Sequence, residues 1–144
     1  MNIAELRETW LGRQFDRAEF EVEAKEMLDW AEACGETDAR FTDSTHPDFQ
    51  AHPGFTAKYA SRRTLPTDFP QLGDGRGVDG GKCVESLGPI RPGDVLGATS
   101  LIADIYEKTG RSGTMVFIVH RMRYENQRGE PVSVVDWRMI RNVG

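Results

Sequence analysis

The sequence predicts an α+β domain in which helices precede an antiparallel sheet. Three observations carry this prediction. Composition divides near Gly81, with helix and loop residues before it and β-forming residues after it. The second half holds three long β-rich stretches, 95–107, 113–125 and 131–141. Turn-forming tetrads, Gly110-Arg111-Ser112-Gly113 and Asn126-Gln127-Arg128-Gly129, separate them as hairpin joints. A helix laid on one face of such a sheet is the simplest packed solution.

Each element follows from local pattern. Ile3, Leu6 and Trp10 share a helical face and predict a short amphipathic helix over 3–11. Residues 15–22 alternate in part, with Phe20 and Val22 on one side, and read as a short strand or extended entry. Residues 23–34 give the clearest helix. Ala24, Met27, Leu28, Ala31 and Cys34 form its apolar face, Glu23 and Glu26 favour its first turn, and Gly35 suits its C-cap. Residues 35–52 form a polar loop, and a long loop in a compact domain is often functional. Residues 53–63 read as a second helix, with Pro53 in its first turn and Phe55 and Tyr59 on its buried side. A Pro/Gly-rich loop covers 64–81. A short strand at 82–87 then opens a meander completed by the three long ones.

Length and charge narrow the function. With 144 residues the chain makes one domain, residues 1–144. Folding at that size buries roughly two-thirds of the unfolded surface, enough for a core. Lys plus Arg is 18 and Asp plus Glu is 23, giving a net charge of −5. That balance argues against nucleic acid as the main partner, since phosphate neutralisation needs a basic face, though it leaves room for a local basic patch. No run of 18 apolar residues predicts a membrane helix, and the charged start lacks a signal-peptide core. Cys34 and Cys83 make neither a C-x-x-C motif nor a disulfide framework. A cytoplasmic protein is the expectation.

Several motifs fail on context. Gly75-Arg76-Gly77-Val78-Asp79-Gly80 matches G-x-G-x-x-G, but a loop precedes it and a strand follows, so no dinucleotide site is expected. His46 and His52, near Asp43 and Asp48, lack the tight spacing of metal ligands, and no metal is expected. A His–carboxylate acid/base pair in this loop fits the chemistry better, because imidazole titrates near neutrality and a carboxylate orients it. His120 reads as a structural residue in mid-strand. Arg121 and Arg123, two apart on one strand face, read as part of a solvated sheet surface.

The order of elements and several local stretches resemble the hotdog fold, and in particular the N-terminal-type half of MaoC-like dehydratases. Helix 23–34 followed by Gly35-Glu36-Thr37-Asp38-Ala39-Arg40-Phe41-Thr42-Asp43 resembles that family's helix and G-D-x-N-P-x-H-x-D segment. Ala51-His52-Pro53-Gly54-Phe55 resembles the A-P-P-T-F stretch that opens its central helix. Ile90-Arg91-Pro92-Gly93-Asp94-Val95-Leu96 is similar to P-I-x-P-G-D-x-L. Ile105–Gly113 resembles the half's hairpin, and Tyr124-Glu125-Asn126-Gln127-Arg128-Gly129-Glu130 is similar to Y-x-N-Q-x-G-E. The resemblance covers nearly the whole chain. It implies one hotdog domain, an antiparallel sheet wrapped around a central α-helix.

It also implies water addition to, or removal from, enoyl thioesters on coenzyme A or acyl carrier protein, without metal or redox cofactor. A carboxylate and a histidine hold one water, and backbone N–H groups polarise the thioester carbonyl. Here the family's aspartate place is Glu36, its histidine place Phe41 and its Asn-Pro pair Asp38-Ala39. The acid/base residues expected in this chain are therefore His52 with Asp38, Glu36 or Asp43. Phe41 and Phe55 are expected to line an acyl tunnel, with His46 nearby. Pro53, Gly54 and Phe55 would open the central helix, and the Gly54 and Phe55 amides would face the carbonyl. The resemblance further implies a dimer, with itself or with a catalytic hotdog subunit that this chain supports. Two rival readings remain: an acyl-CoA thioesterase using Glu36 or Asp43 to activate water, and a non-catalytic acyl-thioester-binding module.

Overall fold

A computed structural model describes residues 2–144. In chain order the elements are α1 (Ile3–Trp10), β1 (Gln14–Glu21), α2 (Ala24–Ala33), α3 (Ala39–Thr42), a 3-10 turn (Phe55–Lys58), β2 (Gly77–Ser86), β3 (Val95–Gly110), β4 (Gly113–Glu125) and β5 (Pro131–Asn142). The five strands form one antiparallel sheet in the order β1-β3-β4-β5-β2.

The helices begin and end where side chains satisfy their free backbone groups. Asn2 Oδ1 accepts Ala4 N at 2.9 Å and caps α1, whose Leu6 and Trp10 are buried. In α2 the buried side is Met27 and Ala31; Cys34, expected on that face, is exposed. Gly35, at φ +69°, turns the chain out of α2, and Glu36 N reaches back to Ala31 O at 3.0 Å. That left-handed residue followed by a long backward bond is how many helices stop.

The sheet departs from a simple meander. β3, β4 and β5 are consecutive hairpins as expected, and the strand expected over 15–22 is β1, paired with β3. β2 does not pair with β3, its successor. It lies at the far edge beside β5. The 87–94 segment is thus a crossover rather than a hairpin, and its Ile90 is buried in the core. β2 also starts at Gly77, inside the stretch expected to be loop. The glycines there suit the close packing: a Cβ on Gly80 would meet Arg138 O at 2.8 Å, and Gly81, at φ +89°, sits in the bulge between Asp79 and Lys82.

The helix expected over 53–63 is absent. One 3-10 turn takes its place, and Pro53 lies exposed before it. Phe55 and Tyr59 are buried as the spacing implies, but they are held by aromatic packing. Their rings meet edge-on at 5.6 Å, and Tyr59 stacks on Phe20 at 4.3 Å. A buried Thr56 Oγ1–Ser133 Oγ hydrogen bond of 2.6 Å fastens the turn to β5. Beyond it, the Arg62 and Arg63 amides donate to Asp16 on β1. The loop is thereby strapped across the sheet where a longer helix would lie. The core divides in two on the inner sheet face. One cluster gathers around Met27, Phe55, Tyr59, Leu96 and Tyr124, and the other around Trp10, Ile102, Ile105, Ile118 and Met139.

Candidate functional site

The 35–52 loop is built to place one carboxylate beside one imidazole. The stop of α2 sets Glu36. The amides of Thr37 and Asp38 then donate to Glu36 Oε1 at 2.9 and 3.0 Å. Those two bonds hold the Glu36 carboxyl below the usual carboxylate range, so it is ionised at neutral pH. On the other side of the loop, Ala51 N donates to Ile90 O and fixes the approach to His52. His52-Pro53-Gly54-Phe55 is a tight turn closed by Phe55 N to His52 O at 2.9 Å. Gly54 N donates to His52 Nδ1 at 3.0 Å. A neutral His52 therefore carries its proton on Nε2. Nε2 faces Glu36 Oε2 at 3.4 Å, and the two side chains are 24% and 25% exposed, so solvent reaches them.

The other candidates do different work. Asp38 caps α3 through Arg40 N at 3.0 Å and pairs with the Arg40 guanidinium at 2.8 Å; that side-chain bond is the main cause of its lowered pKa. Asp43 accepts from the Thr45 amide and hydroxyl, which lowers its pKa and commits it locally. His46 Nδ1 accepts Asp48 N at 3.0 Å and pins the loop, while Asp48 pairs with Arg91. Of the three carboxylates considered for His52, the fold brings only Glu36 to it.

Phe41 is buried and meets the His52 ring edge-on at 5.7 Å, so it walls the pair on one side. Phe55 is fully buried in the larger core cluster. The amides of Gly54 and Phe55, expected to face a carbonyl, are both taken inside the turn. No residue pattern singles out Trp30. Its indole N–H is buried without a partner, and it lies next to the pair: a Cβ placed on Gly54 would come within 3.7 Å of Trp30 Nε1 and 3.3 Å of His52 Nδ1. Arg121 is bound at two points by Asp136, at 2.7 and 2.8 Å, and is not a free cation.

A five-stranded antiparallel sheet with a short helix on its inner face is the architecture of a hotdog domain. The family described as FAS1-like, dehydratase domain region, matches residues 9–135, and the chain belongs to it. Solved structures of MaoC-like dehydratases and (R)-hydratases share the fold. The MaoC-like dehydratase from Rhodospirillum rubrum is 24% identical, with 96% of this chain and 97% of that chain covered and a TM-score of 0.62. The ChsH1-ChsH2 complex from Mycobacterium tuberculosis is 17% identical over 98% of this chain and 89% of that one, at a TM-score of 0.66. The HadBC complex, a 3R-hydroxyacyl-ACP dehydratase from the same organism, is 22% identical over 90% and 96%, at 0.63. No curated protein matches the sequence.

Proposed function

We propose that this chain is a subunit of an enoyl-thioester hydratase, equally a 3-hydroxyacyl-thioester dehydratase, working beside a second hotdog subunit. The single observation that carries this is the Glu36–His52 pair, 3.4 Å apart, ionised on the carboxylate side and open to solvent. In the hydration direction His52 Nε2–H donates to the oxygen of one water, and Glu36 Oε2 accepts one of its protons. As the water oxygen bonds to C3 of the enoyl thioester, Glu36 takes that proton and returns it to C2. The double bond becomes a single bond, one water is consumed, and both side chains end as they began. The reverse order dehydrates.

The thioester oxygen gains charge in this step and needs donors. Trp30 Nε1–H lies unpartnered near the pair but is buried, out of reach of a substrate oxygen. With the Gly54 and Phe55 amides occupied, a donor supplied by a second subunit fits this need. That need, and the two-subunit complexes among the structural neighbours, support a heteromeric enzyme.

The test is hydration of a short and a medium trans-2-enoyl-CoA, followed by loss of the conjugated thioester absorbance. It is run with the chain alone and with a hotdog partner subunit. Turnover that needs the partner and collapses in Glu36→Gln supports the reading. Turnover unchanged in Glu36→Gln, or absent with every partner and carrier, overturns it.

A further inference from the structure

Glu36 and His52 meet from separate stretches of chain. Glu36 follows the stop of α2, and His52 ends the long loop. A third segment, the crossover turn at 90–94, is bonded to both stretches. Val22, just before α2, exchanges two backbone bonds with it: Val22 N donates to Asp94 O and Gly93 N donates to Val22 O, each at 2.8 Å. On the other side of the turn, Ile90 O accepts Ala51 N at 2.8 Å, next to His52. Arg91 reaches further along the same loop. Its Nη1 donates to Phe49 O at 3.0 Å and its Nη2 to Asp48 Oδ1 at 2.9 Å. The loop adds a bond of its own, from Gln50 N to Arg40 O at 2.9 Å.

The turn that carries Arg91 is held from below. Asp94 is 5% exposed, and both of its carboxylate oxygens are taken. Oδ2 accepts Arg91 N at 2.9 Å, and Oδ1 accepts Gln127 Nε2 at 3.0 Å. Asp94 N closes the turn on Arg91 O at 3.1 Å. Arg91 therefore extends from a fixed backbone. A guanidinium presents its donors as a planar fork, and here two prongs hold acceptors on adjacent residues, one of them a main-chain carbonyl. The Arg91 and Asp48 side chains are 44% and 46% exposed, and an ion pair so open to water adds little to stability. What the fork adds is geometry: it fixes the backbone three residues before His52.

We propose that Arg91 is a positioning residue for the Glu36–His52 pair. By clamping Asp48 and Phe49 to the turn that also holds the entry to α2, it sets the separation at which His52 meets Glu36. Its link to turnover rests on the reading of that pair as the hydration site. Without the fork, the Ala51 N–Ile90 O bond still guides the loop, so the fold persists while the approach to His52 loosens. A misplacement of about 1 Å at a reacting group can cost about a hundredfold in rate.

The test reads Arg91→Met in the full chain in two ways. The first follows the His52 imidazole nitrogens by NMR in protein labelled with ¹⁵N-histidine, at one pH near neutrality. Glu36→Gln marks the His52 signal without its carboxylate. Arg91→Met should move the Nε2 resonance toward that position, and adding Glu36→Gln to it should then shift the signal less than about half as far as in the wild type, the coupling expected of residues that act through one another. The His120 signal, on the sheet, should stay in place throughout. Arg91→Lys keeps the charge without the fork and should lie between; it carries the same comparison if Arg91→Met does not fold. The second readout is the partnered enoyl-thioester assay. Arg91→Met should lower kcat about ten- to a hundredfold with KM within about twofold, and the loss should shrink to less than about twofold in the Glu36→Gln background. His52 resonances unmoved in the folded Arg91 variants, an equal Glu36→Gln shift with and without Arg91, or an unchanged kcat overturns the proposal. Absence of turnover in every protein, with the NMR coupling present, strikes the hydration reading and leaves the positioning role supported.

Discussion

The Glu36–His52 pair and the cavity beside buried His120, between the strap and strands β2, β4 and β5, treat polarity in opposite ways. Around the pair, nearly every polar atom is spoken for by a neighbour close in sequence: Glu36 by Thr37 and Asp38, His52 by Gly54, His46 by Asp48. Around the cavity, residues brought together from distant strands leave His120 with none. Local hydrogen bonds hold a reactive pair in one geometry, which suits a step that must repeat with the same atoms in place. The unmatched imidazole beside the cavity is held by aromatic packing alone.

The largest expected effect breaks the first half of this comparison. Glu36→Gln keeps the acceptor for the Thr37 and Asp38 amides but cannot take a proton. Turnover in the partnered enoyl-thioester assay should fall by about 10²–10⁴, with the circular dichroism spectrum unchanged. The next effect tests the second half through pH. Burial pushes the folded His120 pKa down to about 4, below the ordinary histidine value, so the unfolded chain binds the proton more readily. Stability is therefore complete above about pH 6.5 and falls as pH drops toward 4, by an amount on the order of 2–3 kcal/mol. Asp16 opposes part of this shift and Lys82 adds to it. Denaturant titrations at pH 7.5 and 4.5 should show the loss in the wild type and a smaller one in His120→Leu.

A smaller change separates the strap from the sheet. Thr56→Val leaves Ser133 Oγ buried without its 2.6 Å partner and should cost about 1–3 kcal/mol, read as a lower denaturation midpoint with unchanged slope. The smallest sharpens the choice of carboxylate. Asp38→Ala removes the α3 cap, costs about 1 kcal/mol of stability and should change turnover less than about threefold, far less than Glu36→Gln does.

Much of the fold was legible because hydrophobic alternation is local. The β3–β5 hairpins and the buried faces of α1 and α2 follow directly from residue spacing. β2 was half hidden, because Gly77, Gly80 and Gly81 read as loop when their neighbours across the sheet are unknown. Those neighbours, Arg138 and Arg141, are sixty residues on. The missing helix at 53–63 fails for a related reason. Phe55 and Tyr59 have the spacing of a helix face, yet their packing on Phe20 and the Thr56–Ser133 bond hold a single turn. In the site, residue types pointed to His52 and a nearby carboxylate. Which carboxylate depended on how α2 stops, and that is a matter of backbone hydrogen bonds rather than composition. Trp30 drew no notice and His120 read as a structural residue, because an unpartnered nitrogen can be recognised only once every neighbour is in place.

The pairing order of the strands also bears on how the chain is made. A ribosome delivers β1 and β2 early, but β1 pairs with β3 and β2 pairs with β5, the last strand of the nine elements. Neither has a sheet neighbour until the C-terminal half emerges. β3, β4 and β5 need only the short turns at 111–112 and 126–130, so they zip in sequence as they appear. The two edge strands then dock onto a finished scaffold, closing loops far longer than a hairpin's. A chain interrupted before β5 would therefore keep β2 as a loose, unpaired strand, a natural target for chaperones and proteases during synthesis.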